Sequence, residues 1–509
     1  MSRLDNSVRN IKFGTLGLIL SYFSGFIARK VFVMFLSLEY LGLSGLFSNV
    51  LTMLSLAELG FGSAISYSLY KPLAFKEEQK IQALMKLYRK AYRLIGTLVL
   101  VLGFAFTPFL HLLMREVPPI PHLSVIYSLY VINSGSSYFL GYKRTVIIAD
   151  QKAYINSIYM YGFQILKHLL QIVVLVVTGN YILFLLVMLA CTIGENLAIT
   201  LQVNSRYPYL KEKTDAFLSR DEKSKIKRNV FALTFHKVGG VLVNGTDNII
   251  LVRFVSLFSA GLYANYTLIQ GAVGGIVGLL FSSITASIGN LAAERGALGS
   301  KSLFDELNFI SAWVYGFTAL CLYFLYNPFI SLWLGRAYLF PRSVVFAIVL
   351  NYYLSGMRRP VLVFKDSLGL FWYDRYKALL QAAVNLVVSI LLARKYGVLG
   401  VLIGSSVSTL TTCFWIEPYV VYRFGFDEAS GKYFFQYALY TLVTLVAGFA
   451  TFATLSLITI PNTVSRFAVS LLAVLVIPNL VYLLFFHRLP LFKEVLAILK
   501  RLIRSEMAR

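Results

Sequence analysis

Apolar residues run through this chain in long stretches parted by short polar breaks. Fourteen such stretches cover 11–36, 40–69, 93–114, 123–142, 154–178, 181–203, 231–255, 260–288, 307–332, 341–364, 376–393, 398–421, 434–458 and 465–487. A helix of about 20 apolar residues crosses a bilayer core, and in hydrocarbon its backbone groups must be satisfied within the segment. Each stretch therefore predicts a transmembrane helix. The longer ones, such as 40–69 and 260–288, read as tilted or kinked helices and not as extra spans.

The longest polar segment, 204–229, ends in Lys223-Ser224-Lys225-Ile226-Lys227-Arg228. It follows six stretches and precedes six more, so it reads as a linker between two halves. A short internal repeat agrees: Gly42-Leu43-Ser44-Gly45-Leu46-Phe47 opens the second stretch of the first half, and Gly261-Leu262-Tyr263-Ala264-Asn265-Tyr266 opens the second stretch of the other. Six helices per half give the halves the same orientation, and repeat-built transporters place their substrate between such halves. The expected organisation is a six-helix lobe at 1–203, a cytoplasmic linker at 204–230, a second six-helix lobe at 231–422, a helix pair at 433–487 and a tail at 488–509. In that tail, apolar residues alternate with Lys and Arg at helical spacing from Leu489 to Arg504, as in an amphipathic helix lying on a membrane surface.

Composition removes the soluble alternatives. With 58% hydrophobic residues and a mean hydropathy of +0.71, the chain is an all-α integral membrane protein. Its net charge of +24 would suggest nucleic acid in a soluble protein, but the placement of the charge says otherwise. With the N-terminus inside, inner loops and tails hold 34 Lys and Arg and outer loops hold six, Arg115, Arg336, Arg342, Arg394, Lys395 and Arg466. With residues at or next to a stretch end counted in the adjoining loop, the remaining seven of the 47 lie within stretches. That bias is the positive-inside rule; it places both termini in the cytoplasm and gives no reason to expect nucleic acid. The first stretch is too long for a signal-peptide core and is interrupted by Arg29 and Lys30.

The seven basic residues inside stretches are Arg29, Lys30, Lys167, Lys237, Arg253, Arg358 and Arg359. Facing lipid they would cost roughly 3 kcal/mol each. Those near stretch ends can snorkel, and the central ones are expected to line a water-filled substrate cavity. Arg29 and Lys30 have no acid within a helical turn and are candidates for anion contact. Lys167 and Lys237, the latter after His236, are candidates on the same ground. Arg253 lies near an outer end, where snorkelling is an equal account. Pro360 should kink or end the tenth helix. Arg358 and Arg359 are interfacial if it ends; if it continues they enter the cavity, where a guanidinium fork suits a phosphate.

Acids are fewer: Glu58, Glu195 and Asp247 lie within stretches, and Glu417 lies near an inner end. Each is an ion-pair partner or a coupling site for a proton or cation. Such a cavity is cationic overall and favours an anionic substrate. Cys191, Cys321 and Cys413 read as small buried hydrophobes. The five histidines lack metal-ligand spacing, and Gly299-Ser300-Lys301-Ser302 lacks the Gly-Lys pair of a Walker A loop. No cofactor, metal or direct use of ATP is expected; coupling to a proton or sodium gradient stays open.

Several segments carry a resemblance in the right order: 39–49 (EYLGLSGLFSN), 54–62 (LSLAELGFG), 245–250 (GTDNII), 261–263 (GLY), 364–371 (FKDSLGLF) and 415–419 (WIEPY). Over essentially its whole length the chain resembles the bacterial oligosaccharide-lipid flippases of the polysaccharide transport family, in the multidrug/oligosaccharidyl-lipid/polysaccharide (MOP) exporter superfamily. The resemblance implies a V-shaped, MATE/MOP-like transporter of two six-helix lobes plus two C-terminal helices in the bacterial plasma (inner) membrane. Members flip undecaprenyl-pyrophosphate-linked oligosaccharides by alternating access; the implied partners are that lipid, the surrounding membrane lipids and polysaccharide polymerase machinery. Arg29, Glu58 and Asp247 fall in family-like segments. The expectation is that Arg29, Lys30 and Arg358 hold the pyrophosphate while Glu58 or Asp247 biases the lobes by binding a cation.

Two rivals remain at this point. A membrane polysaccharide polymerase or glycosyltransferase needs a sizeable loop bearing acids or a metal, whereas the outer loops carry only Glu39 and Glu116 as acids. A drug or cation antiporter of the same superfamily would want a more acidic cavity. The glycan and its polymer pathway have no motif to read.

Overall fold

The structure is a computed structural model that describes residues 3–58, 60–116, 118–212, 217–224, 226–227, 230, 245–299, 301–458 and 462–497. Every element among them is helical. In order these are α1 (Arg3–Phe35), α2 (Leu38–Leu54), α3 (Phe61–Phe75), α4 (Glu78–Phe106), α5 (Leu123–Gly141), α6 (Arg144–Ala149), α7 (Ala153–Thr178) and α8 (Tyr181–Arg206). After the linker come α9 (Leu257–Gly299), α10 (Lys301–Trp333), α11 (Arg342–Met357), α12 (Arg359–Ser367) and α13 (Lys377–Tyr396). The series closes with α14 (Val398–Ser408), α15 (Phe414–Val420), α16 (Gly431–Leu457) and α17 (Thr463–Phe486). The chain divides into two compact units, Met1–Ala264 and Asn265–Arg509, so the division falls inside α9.

Among the described residues nine uninterrupted helical segments are long and apolar enough to cross a membrane. Some expected spans fall short because they are broken. The 40–69 stretch is two helices: α2 tightens into a 3-10 turn at Ser55–Glu58, and Gly60, at φ 77°, turns the chain into α3. A positive φ is open to glycine without a Cβ penalty. The tenth stretch ends at Met357, and α12 starts at Arg359 with Pro360 in its first turn. There its missing N–H costs nothing.

Apolar side chains cover much of the outside. On α7, Leu166, Leu169, Leu170, Val173, Val176 and Val177 are all exposed. On α17, Leu472, Leu475, Val476, Leu480 and Leu484 are too. Apolar surface on this scale is stable only against hydrocarbon: this is a multi-pass membrane protein.

The repeat noticed in sequence has a physical counterpart in the N-terminal unit. Gly42 is the fifth residue of α2 and Gly261 the fifth of α9. A Cβ on Gly42 would lie 2.2 Å from the carbonyl oxygen of Leu257, the first residue of α9; one on Gly261 would lie 2.1 Å from that of Leu38, the first residue of α2. The two helix starts thus cross reciprocally, each glycine making room for the other's backbone.

The linker and the tail are both more structured than a tether. Leu218 and Ile226 are buried in a core with α3, α4, α6 and α8. Ser219 and Glu222 form a reciprocal capping box (3.0 and 3.1 Å), and Glu222 also takes a 2.8 Å salt bridge from Lys80 on α4. That bridge and the capping bond hold the Glu222 carboxyl below its usual range. The tail starts as a helix at 490–497, where Phe492 stacks on Trp313 of α10 at 5.9 Å. The first turns of the expected amphipathic helix therefore pack on protein; 498–509 lie outside the described residues.

Candidate functional site

Small residues on α1 let it pack closely against α7. Gly17, Ser21, Ser24 and Ala28 recur at helical spacing, the last three are buried, and Gly17 lies under the Tyr161 ring of α7. Where small side chains line a seam, helices approach closely, and this brings the polar parts of α1 and α7 together. The Ser24 hydroxyl meets His168 Nδ1 at 2.8 Å, and Gly25 leaves room for the same imidazole. One turn further on α1, the half-buried Arg29 lies in the electrostatic field of Tyr130 on α5, Tyr181 on α8 and His168. The two tyrosine hydroxyls hydrogen-bond each other at 3.0 Å. Lys167, also half-buried, feels Glu195 and Cys191 of α8. Glu195 itself is bridged at 3.1 Å to Arg144, which opens α6.

These groups form a basic, hydroxyl-rich interior drawn from α1, α5, α7 and α8. Lys30 does not join it. Successive helical residues are turned by about 100°, and Lys30 is exposed while Arg29 is not. His168, dismissed in the sequence as one of five scattered histidines, does join it. Its one-dimensional signal was only adjacency to Lys167.

A second polar cluster surrounds Glu58, the last residue of the 3-10 turn after α2. Tyr92 of α4 donates its hydroxyl to Glu58 Oε1. Tyr88, one turn earlier, packs edge-on against Tyr92 at 4.2 Å and accepts from Thr145 at 3.3 Å. A Cβ on Gly62 would sit 3.0 to 3.1 Å from Tyr92 Oη, Glu58 Oε1 and Tyr88 Oη, so the bare glycine leaves space where the carboxylate and two phenols converge.

Asp247 is partly buried in the helical turn 245–250, near Tyr263 of α9. Arg253 follows in a π-helical turn, Leu251–Val255; it is exposed, and its Nη1 donates to the Met114 carbonyl at 3.1 Å. It ties two backbone segments together, which fits the snorkelling account given above. Lys237 lies outside the described residues.

The C-terminal unit handles its charges differently. Arg358, at the break between α11 and α12, donates to both oxygens of Glu417 on α15 at 2.9 and 2.7 Å. Lys377, opening α13, bridges the same carboxylate and also Asp374 at 3.1 Å. Lys365 of α12 reaches Asp374 at 2.8 Å. Glu417, Asp374 and Lys365 are buried. Three cations and two carboxylates form one continuous chain, and the fork of Arg358 is filled by protein. Arg359 is exposed at the helix break. Sequence reasoning noted Glu417 but missed Lys365, Asp374 and Lys377; the Asp374–Lys377 spacing of three was the available signal. Glu417 is carried between two π-helical turns, Thr409–Cys413 and Val421–Phe426, and beside Pro418. Such turns gather at functional positions.

Neither a family profile nor a curated protein matches the sequence. Solved structures do match its fold. A structure described as lipid II flippase MurJ in an inward closed conformation superposes with a TM-score of 0.66 at 15% identity, covering 94% of this chain and 99% of that one. A point mutant of the Vibrio cholerae MATE transporter VcmN gives 0.57 at 13% identity over 84% and 99%. An inward-facing multidrug-resistance MATE transporter of the MOP superfamily gives 0.52 at 13% over 81% and 98%. The chain has the fold of these MOP-type transporters.

Proposed function

We propose that this chain is a flippase moving polyprenyl-pyrophosphate-linked oligosaccharide units across the bacterial plasma membrane by alternating access between two six-helix lobes, for surface polysaccharide synthesis. The observation that carries the reading is the basic interior of the N-terminal unit, built by Arg29, Lys167 and His168, on a fold shared along almost its full length with a lipid II flippase. Each hydroxyl of an oligosaccharide costs about 4 kcal/mol or more in hydrocarbon, so such a headgroup needs a polar path. The polyprenyl tail has no such need and stays in lipid. Arg29 and Lys167 meet the pyrophosphate, and the tyrosine hydroxyls of the same interior supply hydrogen bonds to sugar or phosphate. The termini are cytoplasmic by the charge bias. Lys30, Lys237, Arg253, Arg358 and Arg359 stay secondary candidates. Among them Arg358 is available only in a state where Glu417 releases it.

The test is reconstitution in vesicles with a fluorescent undecaprenyl-pyrophosphate oligosaccharide and a quencher on one side. Protein-dependent exchange between leaflets is expected. Exchange equal to that of empty vesicles sinks the proposal.

A second reading, a cation-coupled antiporter, rests on Glu58, whose carboxylate faces two phenols next to the Gly60 turn. A proton or sodium gradient that drives net efflux of an organic cation, with no lipid exchange, favours it. In the flippase reading Glu58, Asp247 or the Arg144–Glu195 pair is where coupling would enter.

A further inference from the structure

Three of the six basic residues on the expected outer side come together at one cavity of the C-terminal unit. The cavity has a volume of about 630 Å³ and lies among α10, α11, α16 and α17. Arg336, Arg342 and Arg466 line it, as do Phe324, Phe452 and Phe467. The arginines come from three separate places: the turn after α10, the first residue of α11 and the first turn of α17.

Each place is held by a specific bond. Tyr266 donates to Asn327 Oδ1 at 2.6 Å and accepts from the Phe340 N–H at 2.8 Å, while Asn327 donates to the Phe340 carbonyl at 3.0 Å. This pins the loop that carries Arg336 and leads into Arg342. The Asn462 side chain caps α17 through the Val464 and Ser465 N–H groups and so fixes the turn bearing Arg466.

The ion pairs of this unit engage Lys301, Arg358, Lys365, Lys377, Arg423 and Lys432, and none involves the cavity arginines among the described residues. The acids of the outer loops, Glu39 and Glu116, both belong to the N-terminal unit. Outer-side positive charge runs against the insertion bias, and half of it here converges on a single aromatic-walled cavity. Guanidinium groups take phosphate oxygens in pairs, and the phenyl rings suit the first carbons of an acyl chain.

We infer that this cavity binds an anionic phospholipid of the outer leaflet, its phosphate held by Arg336, Arg342 and Arg466 and its chain along the phenylalanines. The site is built from residues of the C-terminal unit alone, and only its sidedness rests on the topology proposed above.

The test is lipid retention by the purified full chain, read by native mass spectrometry against phosphatidylglycerol, phosphatidylcholine and undecaprenyl pyrophosphate. Each basic group near a membrane surface is worth about fivefold in affinity, so R336Q/R342Q/R466Q should weaken phosphatidylglycerol binding about a hundredfold. Phosphatidylcholine binding should be unchanged. R336K/R342K/R466K keeps the charge and should restore most of the loss, which separates charge recognition from misfolding. Equal phosphatidylglycerol retention by wild type and the glutamine variant overturns the assignment. So does arginine-dependent binding of undecaprenyl pyrophosphate alone, or displacement of phosphatidylglycerol by inorganic phosphate. Because no transport is measured, failure of the flipping assay leaves this result standing; vesicles with phosphatidylglycerol in one leaflet test the sidedness by themselves.

Discussion

The two units face the same physical problem, charge buried inside a helical membrane protein, and meet it in different ways. In the C-terminal unit Arg358, Lys377 and Lys365 alternate with Glu417 and Asp374: Arg358 meets Glu417 at 2.7 Å, and Asp374 meets Lys365 at 2.8 Å and Lys377 at 3.1 Å. Every cation of that network has a carboxylate. In the N-terminal unit the neighbours described for Arg29 and Lys167 include neutral groups: the Tyr130 and Tyr181 hydroxyls, His168 and Cys191. Glu195 spends its direct bridge on Arg144. A carboxylate at salt-bridge distance satisfies a cation and removes it from ligand chemistry, whereas hydroxyls steady a cation and leave its charge for an anion. Buried charge is therefore not one signal. The paired network serves the architecture, and the hydroxyl-lined one is where the proposed function places an anionic headgroup.

The most severe way to break this contrast is Glu417→Gln. It leaves Arg358 and Lys377 side by side with one carboxylate removed, and losing one partner of a buried ion pair costs about 3–5 kcal/mol. A large drop in thermal unfolding midpoint in detergent is expected, before any assay of transport. A loss under ~1 kcal/mol would mean that water enters the network and that it is no structural element.

Arg29→Gln with Lys167→Gln probes the opposite unit. Removing charged hydrogen-bond donors that meet a ligand costs ~10–100-fold in lipid exchange, with stability changed by less than ~1 kcal/mol. Unchanged exchange at normal expression would detach the pyrophosphate from this interior.

Glu58→Gln is milder. Glutamine still accepts the Tyr92 hydroxyl, so folding should hold within ~1 kcal/mol. Exchange should lose its response to a proton or sodium gradient; a response as in wild type would move the coupling role elsewhere.

The smallest effect belongs to the Lys80–Glu222 bridge, which lies outside the spans and is about two-fifths exposed at Lys80. The folded-state carboxyl of Glu222 is depressed, so its stabilisation is present above the unfolded carboxyl range and is lost as pH falls through the folded value. After solvent screening it amounts to at most about 0.5 kcal/mol. Melting curves of wild type and Glu222→Gln should therefore differ slightly at pH 7 and coincide in acid.

Much of the architecture was readable along the chain, and for definite reasons. The break at Arg358-Arg359-Pro360 was legible because proline acts on its own backbone. The Gly42 and Gly261 repeat was legible because close helix approach admits almost no other residue there. The pairing of Arg358 was not. Glu417 lies 59 residues away, and both the open cavity and the filled fork were consistent with the local sequence. The separation of Arg29 from Lys30 was equally hidden, since adjacent residues share every one-dimensional signal and differ only in the face they present.

By itself the sequence determined that this is a helical membrane protein and that one of its helices breaks at Pro360. Those properties follow from hydrophobic transfer and backbone sterics, which act locally. Tertiary structure alone decided which charges neutralise one another, which keep company with hydroxyls, and that three arginines from distant segments share one cavity. Electrostatics at these distances depends on which helices are neighbours, and that is settled only when the helices pack.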